Sequence, residues 1–349
     1  MCSSDLVCFD NLNIIESRLI LMDSQVLFYC CLSLYCALCL WKTKPGTWRR
    51  IAWLVATGFA CGCSISIKWT CLATPGMIAI ISFFGLHFLD MPLSLIECIF
   101  AGIVGISVYV LSFYLHFKLM PNDGPGSGFY LNEFKKTLIG HSTYDPKAPK
   151  VPFWKLFFNL NKVMMTSNMN ITTRHHWESY WYQWIVNWRG LLYYNKEIPA
   201  GSKNWQSVYL LSNPIVCWFC ALCVALFMVG GLAMVRFRGI KYLSGIKGRL
   251  RYNALFTCMF LFWGWIVNLL PYILVDRSAF VYHYLPGLLY AQLLSGVLVS
   301  QLPKSLSALV TLLVCAAVIG AFTYHAPWIY AYPISSDQHQ ARRWMPRWN

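Results

Sequence analysis

The sequence predicts an all-α integral membrane protein with about eight transmembrane helices and one long polar loop. Three observations carry that prediction. Of 349 residues, 58% are hydrophobic and only 12% are charged, whereas a soluble domain is usually nearer half and a quarter. Eight apolar runs are each long enough, or nearly so, to cross ~30 Å of hydrocarbon as a helix. The acid-free basic loops between them all fall on one side if every run crosses. This composition excludes a soluble enzyme, a disordered tail and a disulfide-rich secreted domain. In a soluble chain a net charge of +15 would suggest nucleic acid. Here it points first to Lys- and Arg-rich cytoplasmic loops, with no nucleic acid partner.

Residues 1–23 are polar and partly acidic and carry no signal-peptide n-region. The first runs cover 24–41, 51–66, 70–88 and 95–116. The second is the shortest, and a re-entrant pair with the third around Lys68 is an alternative to two crossings. A polar interval, 117–206, follows. It divides into a Gly/Pro loop (Pro121–Gly128), a short helical piece, a Pro-spaced linker (Asp145–Pro152) and an aromatic segment. It is too short for a separate domain of normal size. Four more runs cover 209–234, 254–275, 279–301 and 306–331. The chain therefore divides into an N-terminal membrane region (1–116), a loop region (117–206) and a C-terminal four-helix membrane region with a tail (207–349). Most cysteines, such as Cys30, Cys36 and Cys220, lie inside apolar runs and read as small packing residues.

Charge gives the orientation. Lys42, Lys44, Arg49 and Arg50 follow the first run. Arg236, Arg238, Lys241, Lys247, Arg249 and Arg251 follow the fifth, and Lys304 lies between the last two. These eleven of the 28 basic residues mark the cytoplasmic side. The 117–206 interval, the loop Asp276–Ser278 and both termini then lie opposite. A sequon, Asn170–Ile171–Thr172, falls on that non-cytoplasmic side as a possible glycosylation site.

Ionisable residues near the membrane are functional candidates. Arg18, Lys68, Arg277 and His283 all map to the non-cytoplasmic face. Such a cluster under apolar helices suits a lipid-linked phosphate: charge-assisted donors for its oxygens and a greasy slot for its tail. The bland alternative is that each cation snorkels to headgroups. Trp177, Trp181, Trp184 and Trp188 are spaced four, three and four, which on a helix makes one stripe. That stripe reads either as an interfacial helix or as the roof of a cleft flanked by His175, His176, Glu178 and Arg189. His175–His176 is a weak metal signal because adjacent residues diverge on a helix, and no metal is expected. Gly124–Gly128 is either an anion cradle or a plain turn. No Walker, Gly-x-Ser-x-Gly or His-Glu-x-x-His motif occurs.

Longer stretches carry a resemblance. Phe9–Asp10–Asn11, Glu16–Asp23 and Ser66–Trp69 resemble the eukaryotic protein O-mannosyltransferase family. So do Gly124–Gly126 with Phe129, Tyr130 and Phe134, and the stretch Asn168–Gly190 with His175, Ser179, Trp184 and Arg189. Ser212–Val216, Trp263–Trp265, Pro271, Arg277, His283–Pro286 and Arg343–Trp344 follow in family order. The resemblance implies a GT-C-like transferase core in the endoplasmic reticulum membrane. Such an enzyme moves mannose from dolichyl-phosphate mannose to Ser or Thr of luminal proteins with inversion, and works as a homo- or heterodimer with a paralogue. It implies no cofactor beyond the lipid-linked donor. Lys68, Arg18, Arg277 and His283 would then lie near the donor phosphate, and His175, Trp184 and Arg189 would line the luminal cleft.

Two departures from the family pattern matter. The family's acidic pair, in its first luminal loop, and its luminal β-trefoil repeats have no counterpart here. The chain thus reads as an N-terminally truncated form whose catalytic base is unassigned; Glu16, Asp23 and Glu178 are all available, and spacing selects none. The alternative to an enzyme is a non-catalytic membrane subunit that partners a complete paralogue. A transporter fits less well, because the ionisable residues sit at one face rather than at the midplane.

Overall fold

The computed structural model describes residues 3–85, 89, 91–236 and 245–348, with side chains described for 3–85, 89, 91–231 and 253–348. Two short helices open the chain, α1 (Ser3–Cys8) and α2 (Asn11–Arg18). The Asp10 carboxylate caps α2 by accepting from the Asn13 amide at 3.3 Å. The membrane helices α3 (Asp23–Leu40) and α4 (Trp48–Ile67) follow, then a 3₁₀ turn (Trp69–Leu72), α5 (Ala73–Phe84) and α6 (Leu95–Leu119). Ser94 and Glu97 form a capping box that starts α6.

The apolar helices run back and forth between two ends of the bundle. Asp23, which begins α3, meets Lys68, which ends α4, at one end of the bundle. Arg50, in the first turn of α4, meets Glu97, in the first turn of α6, at the other. Among the described residues six helices are long and apolar enough to span. The segment Trp69–Phe84 is shorter, yet it runs from the Lys68 end toward the Arg50 end. The twenty residues of α4 alone reach ~30 Å, so the second run needs no re-entrant pairing with the third.

Small residues let α4 and α6 approach closely. A methyl group added at Gly58 would stand 2.4 Å from the Ala101 carbonyl oxygen, and one at Gly62 would stand 2.5 Å from that of Gly105. No residue of α6 is buried, and its far side is the most open. Ile96, Ile99, Ile103 and Ile106 are exposed there, as a lipid-facing helix requires.

The polar interval holds α7 (Asn132–Lys135), α8 (Phe153–Met169), α9 (Trp181–Ile185) and a hairpin of β1 (Leu191–Glu197) and β2 (Asn204–Leu210). The amphipathic helix of this interval is α8. It turns Leu156 toward Phe134 and Leu138 and exposes Trp154, Phe158 and Met169. The tryptophan stripe is not one helix: only five residues around Trp181 and Trp184 are helical. Asn187, with φ +55°, turns the chain out before Trp188. The Gly124–Gly128 segment is a turn, whose Ser127, Phe129 and Tyr130 amides bond Gly124, Gly126 and Ser127 carbonyls.

Four further helices complete the bundle: α10 (Pro214–Arg236), α11 (Gly245–Leu269), α12 (Leu285–Ser300) and α13 (Lys304–Tyr330). The run expected from 209 starts as a helix only at Pro214, because Tyr209 and Leu210 still belong to β2. Of the basic loop after α10, Arg238 and Lys241 lie outside the described residues, as do the side chains of Arg236, Lys247, Arg249 and Arg251. The central helix is α12, with Tyr290, Ala291 and Leu294 fully buried against its neighbours. A two-residue strand, β3 (Ile334–Ser335), adds antiparallel to β2 in the order β1-β2-β3. The tail ends with α14 (Ser336–Ala341). The sheet, the tail and α2 therefore share the bundle end that carries Lys68, whereas α1 runs beside α12, with Ser3 against Gly296 and the Leu6 carbonyl accepting from Gln292; the first residues thus do not lie on the face expected for both termini.

Candidate active site

At that end lies a cavity of about 890 Å³. Its polar wall comes from three chain ends that the bundle brings together: the start of α3, the end of α4, and the turn between α11 and α12. Lys68 caps α4 in an extended conformation, which swings its side chain off the helix and into the cavity. Its Nζ donates to Asp23 Oδ1 at 2.9 Å and stands 4.8 Å over the Tyr282 ring. Both partners of the pair are largely buried. Arg277 lines the same cavity. Among the described residues no hydrogen bond or ion pair to a protein group engages its guanidinium. One cation is thus neutralised and the other is not, so the cavity carries a net positive charge for an anion.

His283 also lines the cavity and is buried. Its ring stacks on Tyr282 at 4.4 Å and lies 6.0 Å from Trp184. His175 stands at the rim. Its backbone amide donates to Ser278 Oγ at 3.0 Å, and the Ser278 hydroxyl donates to Glu178 at 2.7 Å. That hydroxyl holds the Glu178 carboxyl below the usual range. The 173–178 turn is thereby tied to the loop that carries Arg277.

Three expected site residues lie elsewhere. Arg18 donates to the Ile329 carbonyl at 2.8 Å and stacks on Tyr330, satisfying the end of α13 rather than facing the cavity. Trp184 is 1% exposed, and its Nε1 donates to Ser179 Oγ at 2.8 Å. It is therefore packing beneath His283, not a cleft wall. Arg189 donates to the His176 carbonyl and covers Trp177, so it braces the turn from outside. Asn170 is exposed at the end of α8.

Sequence reasoning missed Tyr193. The strand β1 bulges between Leu192 and Tyr194, and Tyr193 lines the cavity. Its hydroxyl donates to Glu16 Oε1 at 2.7 Å. Glu16 is fully buried, and burial pushes its carboxyl up to about 7. A raised acid pKa means that the folded chain keeps a proton which the unfolded chain loses from about pH 4.5 upward, so this group costs stability as pH rises. Asp10, pushed up to about 6 by burial, acts likewise at lower pH. Glu16→Gln is therefore expected to raise the melting temperature by several degrees at about pH 7.5 and to flatten its fall between about pH 4.5 and 7. Thermal scans in detergent check this; parallel curves for both proteins would refute the burial argument.

Comparison with known proteins follows the same lines. Residues 1–120 match the profile described as dolichyl-phosphate-mannose-protein mannosyltransferase. Residues 153–348 match the C-terminal four-transmembrane region of protein O-mannosyltransferase. The chain belongs to the protein O-mannosyltransferase family. Among curated mannosyltransferases, number 4 of Schizosaccharomyces pombe is 27% identical over 58% of this chain and 30% of its own length. Number 1 of Candida albicans is 32% identical over 42% of this chain and 16% of its own length. The chain thus spans about a third or less of these relatives. The fold matches that of the Saccharomyces cerevisiae protein O-mannosyltransferase Pmt1–Pmt2 complex bound to the sugar donor. That match has a TM-score of 0.82 at 16% identity and covers 99% of this chain and 76% of the matched chain.

Proposed function

We propose that this mannosyltransferase-family chain transfers mannose from dolichyl-phosphate mannose to Ser or Thr of proteins in the lumen of the endoplasmic reticulum. The observation that carries the proposal is the junction of two cavities. The polar cavity of Lys68 and Arg277 shares Trp69 and Thr70 with an apolar groove of about 750 Å³ between α5 and α11. A lipid-linked phosphate needs that combination: cations for the phosphate and a membrane-level slot for the tail. In the transfer the acceptor hydroxyl forms its bond to the anomeric carbon as the bond to the phosphate oxygen breaks. The leaving phosphate takes the electron pair, and the hydroxyl proton passes to a cavity carboxylate or to the phosphate itself. Lys68 and Arg277 stabilise the charge that develops there, and Asp23 keeps Lys68 aimed into the cavity.

The test is donor-dependent incorporation of labelled mannose by microsomes that express the full-length gene product. Transfer that depends on dolichyl-phosphate mannose supports the enzyme. No transfer, with co-purification of a complete paralogue, supports the subunit reading. Luminal placement has its own test. Asn170→Gln is expected to abolish an endoglycosidase-sensitive mobility shift; an unshifted band for the unaltered chain counts against that placement.

A further inference from the structure

A second polar pocket, of about 260 Å³, lies on the other side of β1 from the transfer cavity. β1 is the wall between them: Tyr193 lines the cavity, Asn195 lines the pocket, and Leu192 touches both. The far wall is α14 and the tail, which β3 pins to β2 through the Trp205–Ile334 pair. Nothing in the transfer chemistry uses this pocket.

The lining points to one kind of ligand. Trp205 offers a half-buried indole face. Asn195 accepts from the Ser207 hydroxyl through Oδ1 at 2.8 Å, which leaves its amide group as the donor. His339 accepts from Trp328 Nε1 through Nδ1 at 3.1 Å, which puts the ring proton on Nε2. Gln340 adds an amide from the tail, and Arg343 closes the pocket beside it. Among the described residues no carboxylate lines the pocket. An apolar ring face beside mixed donors and acceptors complements a sugar ring, which has C–H faces and hydroxyls that both donate and accept. The volume lies just below the ~300–1,000 Å³ of sites for drug-sized ligands, as a single hexose requires.

We propose that this pocket is a hexose subsite that holds a mannose already carried by the acceptor. The proposal rests on the transfer reading above. Leu192 and Asn195 are three residues apart, or roughly 10 Å along a strand. An extended acceptor has the same rise per residue. A mannosylated residue two or three positions from the reacting hydroxyl therefore spans the wall between pocket and cavity.

The experiment has two arms, both on the full chain. In detergent, methyl α-mannoside is titrated by saturation-transfer NMR. Binding is expected to persist in Lys68→Ala and to weaken about tenfold in Trp205→Ala and in Gln340→Ala. Gln340 is exposed on α14, so its variant separates the subsite from the sheet that Trp205 helps to build. In microsomes, a peptide with one mannose two residues from a free Thr is compared with its unmodified form. A lower KM for the mannosylated peptide is expected, and the two KM values should converge in both variants. Equal KM values in the unaltered chain, or mannoside binding that survives both variants, overturns the subsite. Loss of transfer to both peptides in the unaltered chain overturns the transfer reading instead and leaves the NMR arm to decide the pocket.

Discussion

Lys68→Ala and Arg277→Ala are each expected to lower dolichyl-phosphate-mannose-dependent transfer by about 10²–10³-fold, the usual cost of removing one preorganised donor to a developing anion. The two losses differ in kind. Arg277 has no hydrogen-bond or ion-pair partner among the described residues, so its removal subtracts a cation and leaves the wall intact. Removal of Lys68 also strands Asp23, a largely buried carboxylate, whose negative charge then faces the leaving phosphate. Lys68→Ala is therefore expected to be the more damaging of the pair, and Asp23→Asn in the Lys68→Ala background to recover part of the rate. Arg277→Lys keeps the charge but not the fork, and an intermediate rate is expected. Initial rates in microsomes at matched expression check all four. Unchanged rates in both alanine variants would sink the phosphate assignment.

The membrane architecture was legible because hydropathy and charge are properties of whole segments. Each apolar run had to cross, and each acid-free loop had to share a side. Lys68 and Asp23 were legible separately, and the crossing rule itself places the end of one span beside the start of the previous one. Arg18 was misjudged by the same rule. It lies on the correct side, but the carbonyls that end α13 were closer than the cavity, and no local pattern shows which groups a distant helix end presents. The tryptophan spacing had the period of a helix, yet backbone geometry at Asn187 ended that helix. Trp184 then went inward, where burial gains more than a cleft position does. Tyr193 lay in a polar stretch with Asn195, Lys196 and Glu197, where strand pairing to residues 204–210 leaves little signature. The hairpin, and with it the second wall of the cavity, came from long-range pairing.

Arg50→Ala is expected to destabilise the chain by about 2–3 kcal/mol, through loss of a buried guanidinium's hydrogen bonds and stranding of the half-buried Glu97 carboxylate. The sequence counts Arg50 as one more cytoplasmic charge, equal to Lys42 and Lys44. In the structure its side chain is 1% exposed. The guanidinium reaches both carboxylate oxygens of Glu97 and donates to the Thr43 and Pro92 carbonyls at 2.8 Å each. Those four acceptors belong to the loop after α3, the turn before α6 and α6 itself. One planar fork thus fixes three segments at the end of the bundle opposite the cavity, a geometry that lysine does not reproduce. Lys44→Ala removes the same formal charge from an exposed position, so it is expected to stay within about 0.5 kcal/mol. Replacing both partners, as Arg50→Met with Glu97→Leu, removes the stranded charge and is expected to restore much of the loss. Thermal unfolding of the detergent-solubilised chain distinguishes the two roles. If Arg50→Ala melts with Lys44→Ala, the residue serves orientation alone. If it melts far below and the double replacement recovers, the pair is a structural clasp, and the charge that signalled topology in the sequence is holding α4 to α6 in the fold.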